Sequence, residues 1–221
     1  MYSLLVLLPF FSVFILNLPF RAVMKKAAFW LCVAVLAVQL CLVISSLRCP
    51  FSTSRDLFGS FLRFDFSVDT LSRILLFCIS VVVFVALCVQ TYIIRDEERI
   101  FNFVNLLLII LAGMNGVVLV RDIFSLYVFL EIASACSFIL IAFNKDIGAF
   151  EGAFKYLVMS IVATVLLLVS IALLLVVAGD TSFSALKAAL KTSPDRFFIN
   201  FAVGIFLSAC FIKAGLVPFH G

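Results

Sequence analysis

The sequence predicts an all-α fold, a polytopic membrane bundle of about seven transmembrane helices, and three observations carry that prediction. Hydrophobic residues make up 66% of the chain and charged residues 13%, far outside the range of soluble domains. The apolar residues fall in runs of about 20 that are apolar all round, whereas a soluble helix keeps a polar face. The alternating segments of about ten residues that mark a membrane β-barrel are absent.

Residues 2–20 form the first span. Neither a basic stretch before it nor a small-residue cleavage site after it suggests a signal peptide, so a retained helix is expected. Pro9 should bend it, which neighbouring helices can accommodate. After Arg21, Lys25 and Lys26 comes an uncharged second span, 27–47. Residues 48–66 read as an extramembrane loop, with 63–66 alternating like a short strand. The third span starts near Val68 and runs to 94, opened by an expected Asp69–Arg73 ion pair at i,i+4. A charged turn, 95–99, precedes the fourth span at 101–120, where Asn102, Asn105 and Asn115 can bond across helices and Gly113 and Gly116 permit close approach.

The fifth span occupies 121–143. A turn at 144–148 leads into the sixth, about 149–178, with Glu151 and Lys155 again at i,i+4. Within the loop at 179–195, Phe183, Leu186, Ala189 and Leu190 share one face while Lys187 and Lys191 take another, as in a short interfacial helix. The seventh span starts at Arg196 and ends near Val217. The three bases of the first loop favour the cytoplasm and place the N-terminus outside. Over the whole chain, however, basic residues divide almost evenly between the two sides.

The formal charge of +4 does not indicate nucleic acid, because the bases sit at segment ends where membrane proteins carry them. Seven cysteines lack CxxC spacing and read as small buried hydrophobes. One histidine leaves no His-rich metal site, and no cofactor is expected on this chain. Phosphate-binding loops, zinc-protease motifs and Ser-His-Asp arrangements are missing, so a catalytic centre of its own is not expected.

Chemistry concentrates in charges that fall inside spans. Glu131 lies eight residues into the fifth span, about 12 Å deep at 1.5 Å per residue in a hydrocarbon layer about 30 Å thick. Such an acid is a functional-site candidate, or else an acid hydrogen-bonded between helices. Lys213 follows sixteen residues without charge, next to Gly215 and Pro218. It reads either as a hydrated site at an irregular backbone or as a lysine snorkelling to the interface. Lys155, nearer its helix start, either pairs with Glu151 or joins the same site. In low dielectric an acid and an ammonium hold each other charged, while desolvation favours the neutral form of each. A pair of this kind can change state as water or neighbouring charge changes, which is the basis of a proton relay.

Four stretches carry a family resemblance: DIFSLYVFLE at 122–131, FEGAFKY at 150–156, FIKAGLVPFHG at 211–221 and SVDTLS at 67–72. In these the chain resembles the antiporter-like, proton-conducting subunits of respiratory complex I, which are related to the large Mrp antiporter subunits and to membrane-bound hydrogenases. The resemblance implies that Glu131 and Lys213 form the charge pair of an N-terminal half-channel, with Lys155 a third candidate. His220 occupies a family position just beyond a helix break, in structure or in proton transfer.

The resemblance also implies a division into 1–99, three helices with the 48–66 loop, and 100–221, an incomplete first repeat of spans four to seven. The family's core is two inverted five-helix repeats, and this sequence ends where a Trp-Leu-Pro continuation would begin. The expectation is therefore a fragment, or a subunit completed by a neighbouring polypeptide. The implied function is translocation of protons, possibly coupled to sodium, within a redox-driven complex of the complex I, hydrogenase or Mrp type. The implied partners are other membrane subunits and lipid, in a prokaryotic plasma membrane. Two alternatives are a non-conducting structural subunit of such a complex and an independent small-solute transporter. A transporter would show paired halves with matching broken helices, and only one break is evident, near Pro218. One geometric expectation is awkward. If the fifth and seventh spans start level and run parallel, Glu131 and Lys213 lie roughly 13 Å apart along the membrane normal.

Overall fold

The computed structural model describes residues 3–18, 21–48, 66, 68–94, 96–192 and 196–216. Helix contacts sort the chain into two compact units, Met1–Val120 and Arg121–Gly221. The expected division at 99/100 follows a repeat implied by the resemblance, on which these contacts do not bear.

The first unit contains α1 (Leu4–Leu16), α2 (Arg21–Arg48), α3 (Thr70–Ile93) and α4 (Glu97–Leu119), with α4 packed on the other three. Helix α1 has 13 residues, about 20 Å, and is shorter than the span expected at 2–20. Asn17 closes it by donating from Nδ2 to the carbonyl of Val13 (2.9 Å) and to Asn105 Oδ1 on α4 (2.9 Å). Helix α2 begins at Arg21, before the predicted start. Helix α4 also begins early, at Glu97. The Asp96 side chain accepts from the Glu98 amide, and the acids of the first turn suit the positive end of the helix dipole. Asp69 likewise caps α3, accepting from the Ser72 amide and hydroxyl at 2.8 Å each. The expected Asp69–Arg73 ion pair does not form, and Arg73 Nε is buried without a hydrogen-bond partner among the described residues. Of the anticipated short strand only Phe66 is described; it makes a single antiparallel bridge to Val120. The rest of the 48–66 loop lies outside the described residues.

A buried polar knot ties this unit together. Pro9 has no N–H for the carbonyl of Leu5 four residues back. Asn115 Nδ2 on α4 donates to that carbonyl instead (2.8 Å). The same amide group bonds Gln39 Oε1 (2.8 Å), and Gln39 Nε2 donates to Asn115 Oδ1 (3.1 Å) and Ser80 Oγ (2.8 Å). All three side chains are almost fully buried, and each polar atom has a partner, as a membrane interior demands.

The second unit holds α5 (Ile123–Ile141), a 3-10 turn, α6 (Ile147–Ala178), α7 (Phe183–Thr192) and α8 (Arg196–Lys213). Helix α6 packs against each of the other three. Asp122, buried at 8% exposure, caps α5 through the Ser125 amide (2.6 Å) and accepts from the Thr181 hydroxyl. Backbone bonds from Ile123 to Thr181 and from Phe183 to Arg121 complete a clasp between the start of α5 and the 180–183 segment. Gly179, in the left-handed region at φ 68°, ends α6 and turns the chain into that clasp. Asp122→Ala is expected to lower stability by about 1–2 kcal/mol, while Asp122→Asn retains most of it because asparagine also caps. Thermal unfolding in detergent checks this, and equal losses for both variants would refute it.

Helix α7 has the anticipated amphipathic form. Leu186 on its apolar face enters the core with Ile123, Leu167, Ile171, Leu174 and Ala202, and Lys187 is exposed. Helix α8 stops at Lys213 in a Schellman turn. Leu216 N–H reaches the carbonyl of Phe211, Gly215 N–H reaches that of Ile212, and Gly215 supplies φ 63°. Pro218, the expected source of the break, lies outside the described residues. Among the described residues six helices (α2–α6 and α8) are long and apolar enough to cross a membrane, beside the shorter α1. The chain is an integral membrane protein.

Candidate functional site

The acid of α5 and the lysine of α8 meet. Lys213 Nζ lies 2.6 Å from Glu131 Oε1, with side-chain exposures of 13% and 30%. Hydroxyls fill the remaining places around the pair. Thr164 Oγ1 on α6 donates to Glu131 Oε1 (2.8 Å), and Lys213 Nζ donates to Ser134 Oγ (3.2 Å) and, more weakly, to Ser160 Oγ (3.5 Å). The ammonium thus spends its three donors on a carboxylate and two hydroxyls. Lys213 does not snorkel away along the last turn of α8.

The expected offset of 13 Å vanishes because the two helices do not start level. Helix α6 serves as a ruler at about 1.5 Å per residue. Ser170 donates to the Ala202 carbonyl of α8 (2.9 Å), so α8 begins about 3 Å inside the end of α6. Thr164 marks the level of Glu131, so α5 begins about 9 Å inside that end. The clasp at Asp122 and Thr181 seats α5 at this depth. The lysine stem, leaning back toward the start of its own helix as helical side chains do, closes the rest.

The other candidates lie elsewhere. Lys155 pairs with Glu151 at 2.8 Å, both more than 60% exposed, and so stands apart from Glu131 at the start of α6. His220 lies outside the described residues. The site members that the sequence reading overlooked are Ser134, Ser160 and Thr164. For Ser160 and Thr164 a signal was available, since hydroxyls at 156, 160 and 164 recur every four residues along a mostly apolar helix.

Comparison with known proteins shows likeness in sequence and in fold. Residues 120–221 match the family model described as NADH:quinone oxidoreductase/Mrp antiporter, TM. The chain is 35% identical over 136 residues to NADH-quinone oxidoreductase subunit N of Paramagnetospirillum magneticum, covering 58% of this chain and 28% of that one. It is 27% identical over 152 residues to a subunit of the Na(+)/H(+) antiporter of Alkalihalophilus pseudofirmus, covering 69% and 31% respectively. Its fold resembles a chain of the Mrp complex from Dietzia sp. DQ12-45-1b with a TM-score of 0.85 and 22% identity, over 100% of this chain and 42% of that one. The chain therefore spans about a third of the length of these curated relatives. The likeness to the NADH:quinone oxidoreductase/Mrp antiporter family is thus carried by residues 120–221, a little under half of the chain.

Proposed function

We propose that the chain is part of a proton-translocating membrane subunit, working beside other membrane subunits in a complex of the kind its relatives' names describe. The observation that carries this reading is the 2.6 Å contact between Glu131 and Lys213, two charges on apolar helices with hydroxyls as their other neighbours. A proton that reaches the Glu131 carboxylate forms an O–H bond and cancels the negative charge. Lys213 then loses its counter-charge, and a lone ammonium in low dielectric tends to release its proton to the next acceptor. Neutral lysine then takes the Glu131 proton across the contact, Glu131 is ionised again, and the pair re-forms. One proton enters and one leaves per cycle, with no redox change on this chain.

The test is transport by the complete assembly in sealed vesicles, followed with a pH-sensitive dye. Glu131→Ala and Lys213→Ala are each expected to reduce proton movement to background. Undiminished movement by either variant would overturn the reading.

A further inference from the structure

The segment between α6 and α8 carries a compact group of bases that proton transfer at Glu131 does not use. Around its axis, α7 (Phe183–Thr192) shows three kinds of surface. Leu186 is buried in the core of the second unit, with Ala185 and Ala189 half-buried near it. Next around the helix come Phe183 and Leu190, both apolar and both exposed. Beyond them lie Lys187 and Lys191, one turn apart on one face and exposed as well. At about 100° per residue the order is core, bare apolar edge, basic edge.

A third base joins from α8. Arg196 Nη1 donates to the Leu190 carbonyl (3.3 Å), in the last turn of α7. The rest of this exposed guanidinium keeps donors for an outside acceptor. The nearby acids are engaged elsewhere. Asp122 caps α5, and Asp180 accepts from the Thr181 amide (2.7 Å) and the Ser182 hydroxyl (2.9 Å). Among the described residues no carboxylate pairs with Lys187 or Lys191.

The clasp fixes the level of this group. Phe183 N–H bonds the Arg121 carbonyl, so α7 starts where the membrane-spanning α5 starts. At the same end of the bundle, Val176 on α6 and Phe197 on α8 are 79% and 83% exposed. Acyl chains, rather than water, suit apolar surface so bare. Lysines bordering such an edge reach up to the headgroups.

We propose that α7 and the first turn of α8 bind an anionic phospholipid, with Lys187, Lys191 and Arg196 at its phosphate and Phe183 and Leu190 along its acyl chains. Phosphate oxygens accept from ammonium and guanidinium groups alike. Bases without a paired acid favour a lipid of net negative charge over a zwitterionic one, whose own cation opposes them. The apolar edge beside the bases suits a lipid, since a free phosphate gains nothing from Phe183 or Leu190.

The experiment places the complete assembly in nanodiscs. Hydrogen exchange of the α7 amides is followed as phosphatidylglycerol replaces phosphatidylcholine, at low and at high salt. Phosphatidylglycerol is expected to slow exchange across α7, and salt to weaken the effect. Lys187→Gln and Lys191→Gln should each raise the phosphatidylglycerol fraction needed for half protection about fivefold, whereas Lys187→Arg stays near the parent. Both lysines are exposed, so unfolding midpoints in phosphatidylcholine should not move. Exchange that ignores lipid charge would overturn the site, pointing instead to α7 covered by a neighbouring polypeptide. Protection by inorganic phosphate in phosphatidylcholine discs would overturn it too, because no lipid would then be required. So would glutamine variants that follow the parent's lipid titration. None of these readouts involves proton movement.

Discussion

Glu131→Ala should destabilise the assembled protein more than Lys213→Met does, although both are expected to stop transport. Removing the acid leaves an ammonium at 13% exposure with only hydroxyls beside it. Breaking a fully buried pair costs about 3–5 kcal/mol. Allowing for the solvent that reaches Glu131, a loss of about 2–3 kcal/mol is expected here. Removing the lysine instead leaves a carboxylate that is 30% exposed, keeps the Thr164 hydroxyl and can neutralise itself by taking a proton. The double variant Glu131→Gln with Lys213→Met has no charge to strand and should recover most of the stability while remaining inactive. Thermal unfolding of the three variants in detergent, with assembly yield alongside, reads the order. If the double variant is as unstable as Glu131→Ala, the penalty does not arise from an unpaired charge.

Asn115→Leu is expected to have a comparable cost in the first unit, for a different reason. The substitution removes the donor to the Leu5 carbonyl and the donor to Gln39 Oε1. Two buried acceptors left without partners cost about 1–3 kcal/mol each, giving a loss near 3 kcal/mol. The Leu5 carbonyl needs Asn115 only because residue 9 is proline. In a Pro9→Ala background the alanine N–H can serve that carbonyl, and the cost of Asn115→Leu should fall by about 1 kcal/mol. A double-mutant cycle on unfolding midpoints measures this coupling. Equal costs in both backgrounds would show that Pro9 and Asn115 act independently.

Much of the fold was legible because hydrophobic runs of membrane length leave few alternatives. The amphipathic α7 was legible from its spacing, and Asn105 and Asn115 were marked as residues able to bond across helices. Helix starts were less so. The charged segment before the fourth span read as a turn, yet Asp96 and the following acids suit a helix N-terminus, and α4 absorbs them. In place of the expected Asp69–Arg73 pair, the Asp69 side chain caps its helix through the Ser72 amide and hydroxyl. Spacing proposed Glu131 and the resemblance supplied Lys213 as its partner. Their direct contact depends on where α5 starts relative to α8, which is set by a tertiary clasp that no helical periodicity encodes. Gln39 and Ser80 passed unnoticed because a single neutral polar residue in an apolar helix gives no pattern. Only the fold shows that they converge with Asn115.

Helix α6 has 32 residues, about 48 Å, against a hydrocarbon layer of about 30 Å. An ordinary tilt of about 20° absorbs only a few ångströms of that excess. The helix must therefore overhang, and the exposed Glu151–Lys155 pair assigns the overhang to its first turns. From Tyr156 to Ala178 the remaining length is about 35 Å, close to a slightly tilted crossing. Tyr156 then falls at headgroup level, where aromatic rings with a polar tip anchor membrane helices. Bilayer thickness thereby becomes a variable of the site. A thinner membrane would leave the ring in water and shorten the dry distance to Glu131, whereas a thicker one would draw the ring into hydrocarbon and lengthen it. Hydrophobic mismatch at one end of one long helix would thus be felt at a carboxylate several turns away.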